Sequence, residues 1–511
     1  MTDFATAARP RRPLITACVV LAALLQTLDA TIANVALPHM QGTLSATADQ
    51  ISWVLTSYLI AAAIMTPAIG WLSGRFGRRR LFLLSMAGFT AASMACGAAQ
   101  SLDQMVAFRL VQGMFGAALV PLSQAVMLDM YAPHERGSAM SIWSVGIMVG
   151  PIIGPTLGAL LTESYNWRYV FYVNLPVGIV AFLGIWAFLP QSPLNRTLRF
   201  DWTGFLALAA GIAGLQLVLD RGETKDWFDS IEVAMEATAS LAGFYVFFVQ
   251  MVLGRAPFLT VATFRDRNFV TSLGLQFVCG VVLNGTAVLL PPYFQGLGNY
   301  PVLLSGLAMA PRGIGTILAA PFVGRLVNRV DPRLLMLCGL MVLAYSTWQM
   351  SLWTPDVSIG AQIPMVLLQG VTISLVFTPL QTIAFSTLPA EYRTECSGVM
   401  ALFRNLGGSI GVAVMETLLV RNTQVAHQDL ARFATPFNRA LQSGAAHSAW
   451  DLGTRQGLAS LDALVTYHAS IVAFSDDCLV MVAAMLPAAA LLVFMRRPAR
   501  VDVAELHAAV E

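Results

Sequence analysis

Apolar residues in this chain run together in blocks of about 20, separated by short polar stretches, and the blocks recur from one end to the other. Each block is long enough, as a helix, to cross ~30 Å of hydrocarbon. Fourteen such spans can be read, beginning near residues 14, 51, 81, 104, 138, 168, 202, 231, 270, 302, 335, 363, 397 and 469. An all-α membrane protein is the predicted fold class. Composition agrees: 57% of residues are hydrophobic and 11% charged, where a soluble domain carries roughly 25% charged residues.

The charges set the orientation. Connections on one side carry Arg75, Arg78, Arg79 and Arg80, then His134, Glu135 and Arg136, then Arg196 and Arg199. The same side continues with Arg255, Arg265 and Arg267, with Arg329 and Arg333, with Arg393, and with Arg496, Arg497 and Arg500. The opposite short loops, near 40–50, 99–103, 295–301 and 354–362, hold no Lys or Arg. The positive-inside rule then predicts that both termini are cytoplasmic and that the span number is even. The first span follows Arg9, Arg11 and Arg12 without the small-residue cleavage site of a removed signal peptide. One long polar segment, 421–468, is expected on the outside, either as a solvated cap or as a docking element.

Two halves of the sequence echo each other. Pro67-x-x-Gly70-x-Leu72-x-x-Arg75 returns as Pro321-x-x-Gly324-x-Leu326-x-x-Arg329, and Gln112-Gly113 returns as Gln369-Gly370. Pro133-x-Glu135 returns as Pro389-x-Glu391, and Gly150-x-x-x-Gly154 as Gly407-x-x-x-Gly411, at an offset of roughly 256 residues throughout. The predicted organisation is a cytoplasmic N-terminus (1–13), a six-helix bundle (14–190), a linker with two extra spans (191–268), a second six-helix bundle (269–494) that includes the external segment, and a cytoplasmic tail (495–511). Parallel repeats with substrate bound where they meet are a transporter architecture. The repeat fails at Asp29, which maps near Asn284 and Gly285, and at Arg109, which maps near Val366. Proton chemistry is therefore expected in the first half, with the second as a mainly apolar wall.

Asp29 lies in an otherwise apolar first span, and an intramembrane acid is a functional candidate by default. Counting residues at 1.5 Å each puts it ~22 Å from the inner face and Arg109 ~8 Å from the outer face, which is one layer. An arginine beside the carboxylate keeps it ionised, and its departure favours protonation; a permanent structural ion pair is the alternative. Asp476 and Asp477 in the last span are a possible second acidic site, or acids suited to a helix N-terminus. Glu416 is interfacial or faces a vestibule. Arg404 faces the bundle or snorkels. Asn34, Gln112 and Asn405 are further polar positions within spans. Gly146, Gly150, Gly154 and Gly158 share one helix face, which permits close backbone approach, and Pro151 and Pro155 favour bending there. The face is either a pivot or plain packing.

Several classes are disfavoured. The six histidines (His39, His134, His427, His447, His468, His507) lie at span ends or in loops, and the six cysteines (Cys18, Cys96, Cys279, Cys338, Cys396, Cys478) are scattered singly. Neither set forms a metal or disulfide framework, so an intramembrane metalloenzyme is not expected and no metal ligands are assigned. A non-transporting receptor would not need Asp29 and Arg109 at one depth. Arginine predominates over the single lysine, Lys225, but nothing points to nucleic acid.

Taken together the motifs resemble the major facilitator superfamily, and within it the fourteen-span drug:proton antiporters of EmrB type. The likeness rests on Leu28-Asp-Ala-Thr-Ile-Ala-Asn-Val-Ala-Leu-Pro38, on the loop motif Gly70, Arg75, Gly77, Arg78 and Arg79, on Arg109-x-x-Gln112-Gly113, and on the Gly146 to Pro155 motif. It rests also on Asn166-Trp-Arg-Tyr169 with Asn174-Leu-Pro176, on Leu219-Asp-Arg-Gly222, and on Arg404-Asn-Leu-Gly-Gly-Ser409. The chain departs from the family loop at Gly74, where the family usually has an acid that latches the inward-closed state. The resemblance implies a proton-coupled multidrug efflux antiporter of the bacterial cytoplasmic (inner) membrane. It would export lipophilic or amphipathic compounds by alternating access, driven by the proton gradient without a cofactor. The alternative is a dedicated exporter of one endogenous metabolite or fatty acid. A periplasmic adaptor and an outer-membrane channel are the partners the resemblance implies.

Overall fold

Hydrocarbon offers no water to a backbone N–H or C=O, so a spanning segment must satisfy these groups itself, and an α-helix does so within one segment. The computed structural model follows that rule. It describes residues 11–132, 135–191, 200–254, 259–327, 329–435, 438, 450 and 454–496. Among these, fourteen helices are long and apolar enough to cross a membrane: α1 (Arg12–Thr43), α2 (Trp53–Phe76), α3 (Arg78–Ala98), α4 (Leu102–Met130), α5 (Arg136–Ser164), α6 (Tyr169–Phe188), α7 (Trp202–Arg221), α8 (Ile231–Leu253), α9 (Arg267–Leu297), α10 (Leu304–Leu326), α11 (Pro332–Ser351), α12 (Ile359–Ala384), α13 (Arg393–Ala431) and α14 (Arg455–Phe494). Arg9, Pro133, His134, Arg196, Arg199, Arg255, His447, Arg497, Arg500 and the tail beyond lie outside the described residues.

Local chemistry sets many of the starts. Ser101 caps α4 by accepting from Gln104 N at 3.3 Å, Asp201 caps α7 by accepting from Gly204 N at 2.8 Å, and Asp266 caps α9 by accepting from Phe269 N at 2.9 Å. Between α2 and α3 the chain reverses at Gly77, whose φ of 84° strains any residue with a Cβ.

The repeated motifs pack in repeated ways. Gly146, Gly150, Gly154 and Gly158 of α5 lie on Val20, Thr27, Thr31 and Ile32 of α1; Gly407 and Gly411 of α13 lie on the backbone of Phe277 and Val281 in α9. Gly113 of α4 sits against the Tyr58 carbonyl of α2, and Gly370 of α12 against the Arg312 carbonyl of α10. Pro151 has no N–H to give Ile147, four residues back, and the Thr27 hydroxyl of α1 donates to that carbonyl instead at 3.0 Å. The helices α7 and α8 pack on each other, with Ser240 Oγ donating to Gly211 O at 2.8 Å, and α7 meets α2 where Thr56 donates to Asp220 at 2.7 Å.

Contacts between α1–α6 and α9–α14 gather toward the arginine-rich end. Gln124 donates to Gln381 at 2.5 Å, Ser141 donates to the Ala320 carbonyl, Gly398 lies on the Thr66 carbonyl, and Gly70 lies on Glu395. Along α4 the change is visible in one helix. Leu110, Val111 and Met114 are exposed, whereas Leu119 to Leu128 are all buried. The halves therefore meet at the arginine-rich end and part toward the other.

The last two spans extend into the polar segment 421–468, which is helix-compatible by composition. The described parts of 421–468 largely continue the flanking helices: α13 runs on to Ala431, and α14 begins at Arg455 rather than near 469. At 39 and 40 residues they are about 60 Å long, twice the hydrocarbon thickness. Their extensions pair through His427 and Asp462 at 3.0 Å. Hydropathy marks where a helix leaves lipid, not where it ends, and Ala, Gln and Arg continue a helix in water.

A Cβ at Gly150 would stand 2.7 Å from Leu28 N and 2.9 Å from the Thr27 carbonyl carbon, whereas one at Gly42 meets nothing within 4 Å. Gly150→Ala is expected to destabilise the detergent-solubilised protein by roughly 1–3 kcal/mol. Gly42→Ala should leave the thermal midpoint unchanged or raised, which makes it the matched control.

Candidate functional site

Asp29 faces inward on α1 with Leu25, Ile32, Ala33 and Ala36, and is 0% exposed. Arg109 and Gln112 lie one turn apart on α4, so both reach the same point on α1. The Arg109 Nη1 donates to Asp29 Oδ2 at 2.7 Å, and Gln112 Nε2 and Asn174 Nδ2 donate to Oδ1 at 2.9 and 2.6 Å. Arg109 also donates from Nε to Val54 O at 3.0 Å and from Nη1 to Gln112 Oε1 at 2.9 Å. Its guanidinium carbon stands 4.4 Å from the Tyr58 ring centroid and 5.6 Å from that of Phe171. Asn174, at the first turn of the longer part of α6, is held by Ser93 Oγ at 2.9 Å, and Ser93 donates in turn to Phe171 O at 2.9 Å.

Arg109, Gln112, Ser93 and Asn174 are all 0% exposed. Removing an ion pair from water costs several kcal/mol per ion, and only close geometry with further hydrogen bonds offsets it. Five helices supply that geometry here: α1, α2, α3, α4 and α6. The arrangement surrounds a buried carboxylate with one guanidinium and two amide donors. The glycine and proline face of α5 brackets the same acid, because Gly150 lies on Thr27 and Leu28 and Gly154 on Thr31 and Ile32. A shift of α5 along α1 would reach Asp29 directly.

The remaining candidates do not join this cluster. Asn34 is exposed on α1. Asp477 is buried and accepts from Asn422 at 2.7 Å, while its second oxygen has no partner among the described residues; Asp476 beside it is exposed. Glu416 and Asn405 are exposed on α13, and Arg404 is half-buried. Of the loop motif, Gly70 makes room for Glu395, whose carboxylate accepts from Thr260 N and Oγ1 at 2.5 and 3.0 Å; Gly77 makes the turn; Arg79 donates to the Trp186 carbonyl; and Arg75 is half-buried.

The structure corrects two readings. Gly74 withholds the loop's usual acid, yet an acid is present: Asp129 at the end of α4 pairs with Arg78 of the loop motif and with Arg393 of α13 at 2.6 Å, across the two halves. The carboxylate comes from a different helix, which a motif read along the chain does not reveal. The second half is also not a plain apolar wall. Arg312 lies within α10, on its inner side, and donates to the Leu283 carbonyl of α9 at 2.9 Å. Its signal in the sequence is the one that marks Asp29, a lone charge in an apolar run, but the repeat offset pointed to other positions. Asn174 was visible only as part of a motif, since its hydrogen bond to Asp29 spans 145 residues.

Among the described residues, fourteen helices long and apolar enough to span a membrane, packed around a buried ion pair, define the class, a polytopic membrane protein. The sequence matches the Major Facilitator Superfamily over residues 19–412, and the chain belongs to that superfamily; it is a transporter and not an enzyme. It is 33% identical over 432 residues to the multidrug export protein EmrB of Escherichia coli (strain K12), covering 84% of each chain. It is 33% identical over 464 residues to the fatty acid resistance protein FarB of Neisseria gonorrhoeae, covering 89% of this chain and 90% of that one. The crystal structure of the human organic anion transporter MFSD10 shares the fold, with a TM-score of 0.59 at 16% identity over 93% of this chain and 100% of that chain.

Arg109→Gln alone would leave Asp29 charged and unpaired, at an expected cost of roughly 3–5 kcal/mol. The double variant Asp29→Asn/Arg109→Gln should cost less than the sum of the single changes. Thermal unfolding of the four proteins measures that coupling, and strict additivity would contradict the pairing.

Proposed function

We propose that this protein is a proton-coupled efflux antiporter of a bacterial cytoplasmic membrane, exporting lipophilic or amphipathic compounds by alternating access between two six-helix bundles. One observation carries the reading above others: Asp29 is wholly buried at mid-span and held by Arg109 at 2.7 Å. A carboxylate in that setting has two low-energy states, ionised beside the arginine or protonated without it. Protonation from the outside would release Arg109, and the freed charge would bias α4 and the α1–α5 contact toward the opposite opening. Likeness to EmrB, a multidrug export protein, supports the breadth of substrate. The arginine-rich end is taken as cytoplasmic by the positive-inside rule, so the arrangement described above is closed to the cytoplasm. Energy comes from the proton gradient, and no cofactor is assigned.

Likeness to FarB, a fatty acid resistance protein, over 89% of this chain favours one second reading, an exporter dedicated to a fatty acid or a single metabolite. Both readings accommodate a tripartite pump with a periplasmic adaptor and an outer-membrane channel. The lengths of α13 and α14, which reach well beyond the hydrocarbon, support that assembly.

In proteoliposomes with an imposed pH gradient, the wild-type chain is expected to move a lipophilic dye and Asp29→Asn to lose gradient-dependent movement while remaining folded. Full coupling in Asp29→Asn would refute the role given to Asp29. Alternating access makes a separate demand. Cysteines at Gln124 and Gln381, on a background without the six native cysteines, should be joined by a short bifunctional maleimide, and the joined protein should no longer transport. Unimpaired transport by the cross-linked protein would exclude separation of α4 and α12.

A further inference from the structure

Three arginines follow one another where α3 begins, and among the described residues only the first meets an acid. Arg78 pairs with Asp129. Arg79 donates to the Trp186 carbonyl, one of the last four of α6. Four residues beyond Trp186 stands Pro190, which has no N–H to give that carbonyl. The arginine therefore ties α3 to α6, while its own Nε stays buried with no partner among the described residues. Arg80 is exposed and has no partner among them either. Both side chains line a groove of about 220 Å³ whose walls include Phe76, Gly77, Leu83 and Trp186.

No acid lines the groove. Three acids at this end are engaged elsewhere: Asp129 with Arg78 and Arg393, Glu135 with Arg12 at 3.4 Å, and Asp201 in capping α7. Beyond Gln191 the sequence adds Arg196 and Arg199 and no acid before Asp201. The apolar surroundings are those of a headgroup layer. Trp186 and Phe76 are exposed at their span ends, and a tryptophan so placed sits at the membrane–water interface. One turn deeper, ~5 Å toward mid-span, Leu84 follows Arg80 on α3 and Leu183 precedes Trp186 on α6, and both are exposed. Positive charge above an apolar wall fits an amphiphile with an anionic end. At about 220 Å³ the groove is smaller than the ~300 Å³ at which pockets for whole ligands begin. It has room for a headgroup, with the tails lying outside along the leucines. Solvation alone accounts for an exposed arginine such as Arg325. It does not account for a guanidinium fixed to a second helix with a buried, unsatisfied Nε, which is costly unless a ligand meets it.

We propose that Arg79 and Arg80 bind the phosphate of an anionic phospholipid from the leaflet at the arginine-rich end, the cytoplasmic one by the positive-inside rule. Arginine meets phosphate through paired N–H donors, and basic pockets between spans hold anionic headgroups. The site lies beside the contact between the halves: Gly77, in its wall, reverses the chain between α2 and α3, and the next residue, Arg78, holds Asp129. A bound lipid neutralises the two like charges that adjoin this pair. It is a fixed lipid and not cargo, so the assignment stands apart from the export reading.

The test is native mass spectrometry of the full-length protein in detergent micelles, titrated with dioleoylphosphatidylglycerol or dioleoylphosphatidylcholine. The wild type is expected to bind its first phosphatidylglycerol about thirtyfold more tightly than phosphatidylcholine, the preference two arginines near an anionic headgroup provide. R79Q/R80Q should bind both lipids alike, and R79K/R80K should keep most of the preference. R80Q alone, at an exposed position that folding does not depend on, should lower it about fivefold. R325Q/R329Q removes the same charge from exposed arginines of the other half and should leave the preference intact. Equal binding of the two lipids by the wild type would overturn the proposal. So would a preference that survives in R79Q/R80Q, or one that falls as far in R325Q/R329Q, which is the behaviour of a diffuse basic surface. Displacement of phosphatidylglycerol by equimolar sn-glycerol 3-phosphate would assign the groove to a soluble phosphate ester and overturn the lipid.

Discussion

Hydrocarbon will not hold a bare charge at tolerable cost, and that constraint organises the first half of this protein around Asp29 and Arg109. Each ion would be prohibitively placed alone, so the helices that carry them must meet, and meet closely. The polar neighbours follow from the same need. Gln112 and Asn174 saturate one carboxylate oxygen, Val54 O takes the guanidinium Nε, and the Tyr58 ring covers its face. An element of α6 is thereby tied to α1 by a hydrogen bond that exists only because the acid is there. The pair is the organising contact of the bundle: Asp29 and Arg109 draw α1, α2, α3, α4 and α6 to one point.

Glycine faces and proline gaps shape the packing around that pair. Four glycines of α5 bring its backbone against α1, and Thr27 supplies the hydrogen bond that Pro151 takes away. Contacts of this kind hold two helices at short range without interlocking large side chains, so they permit sliding at small cost. At the arginine-rich end polar contacts join glycine contacts such as Gly398 on the Thr66 carbonyl. Asp129 joins Arg78 to Arg393 across the halves, and Gln124 meets Gln381. They lie beside a buried apolar cluster that also draws on both halves, Leu119 and Met127 with Leu380 and Met400 among its members.

The sequence carried the helices, the repeat and the shared depth of Asp29 and Arg109, because each depends on local composition or on counting residues along a span. It was silent where geometry joins distant segments. Asp129 was missed as a latch because the motif it serves lies 51 residues earlier, and Asn174 because nothing in its own span shows what it faces. The ends of α13 and α14 lie beyond what hydropathy reads for a different reason: it reports the solvent around a helix, whereas the backbone continues as long as its residues tolerate the conformation.

Arg312 shows how internal symmetry can mislead as well as inform. The repeat is real in packing, since Gly113 and Gly370 press on equivalent carbonyls of α2 and α10, and that likeness invites a search for charges at equivalent places. The carbonyl under Gly370 is that of Arg312 itself, so the shared backbone contact survives while the side chain carries a charge where α2 has Tyr58. A scaffold held together by backbone approach leaves side chains at the seam free to differ. One half keeps a balanced pair in Asp29 and Arg109, while Arg312 in the other has no carboxylate partner among the described residues.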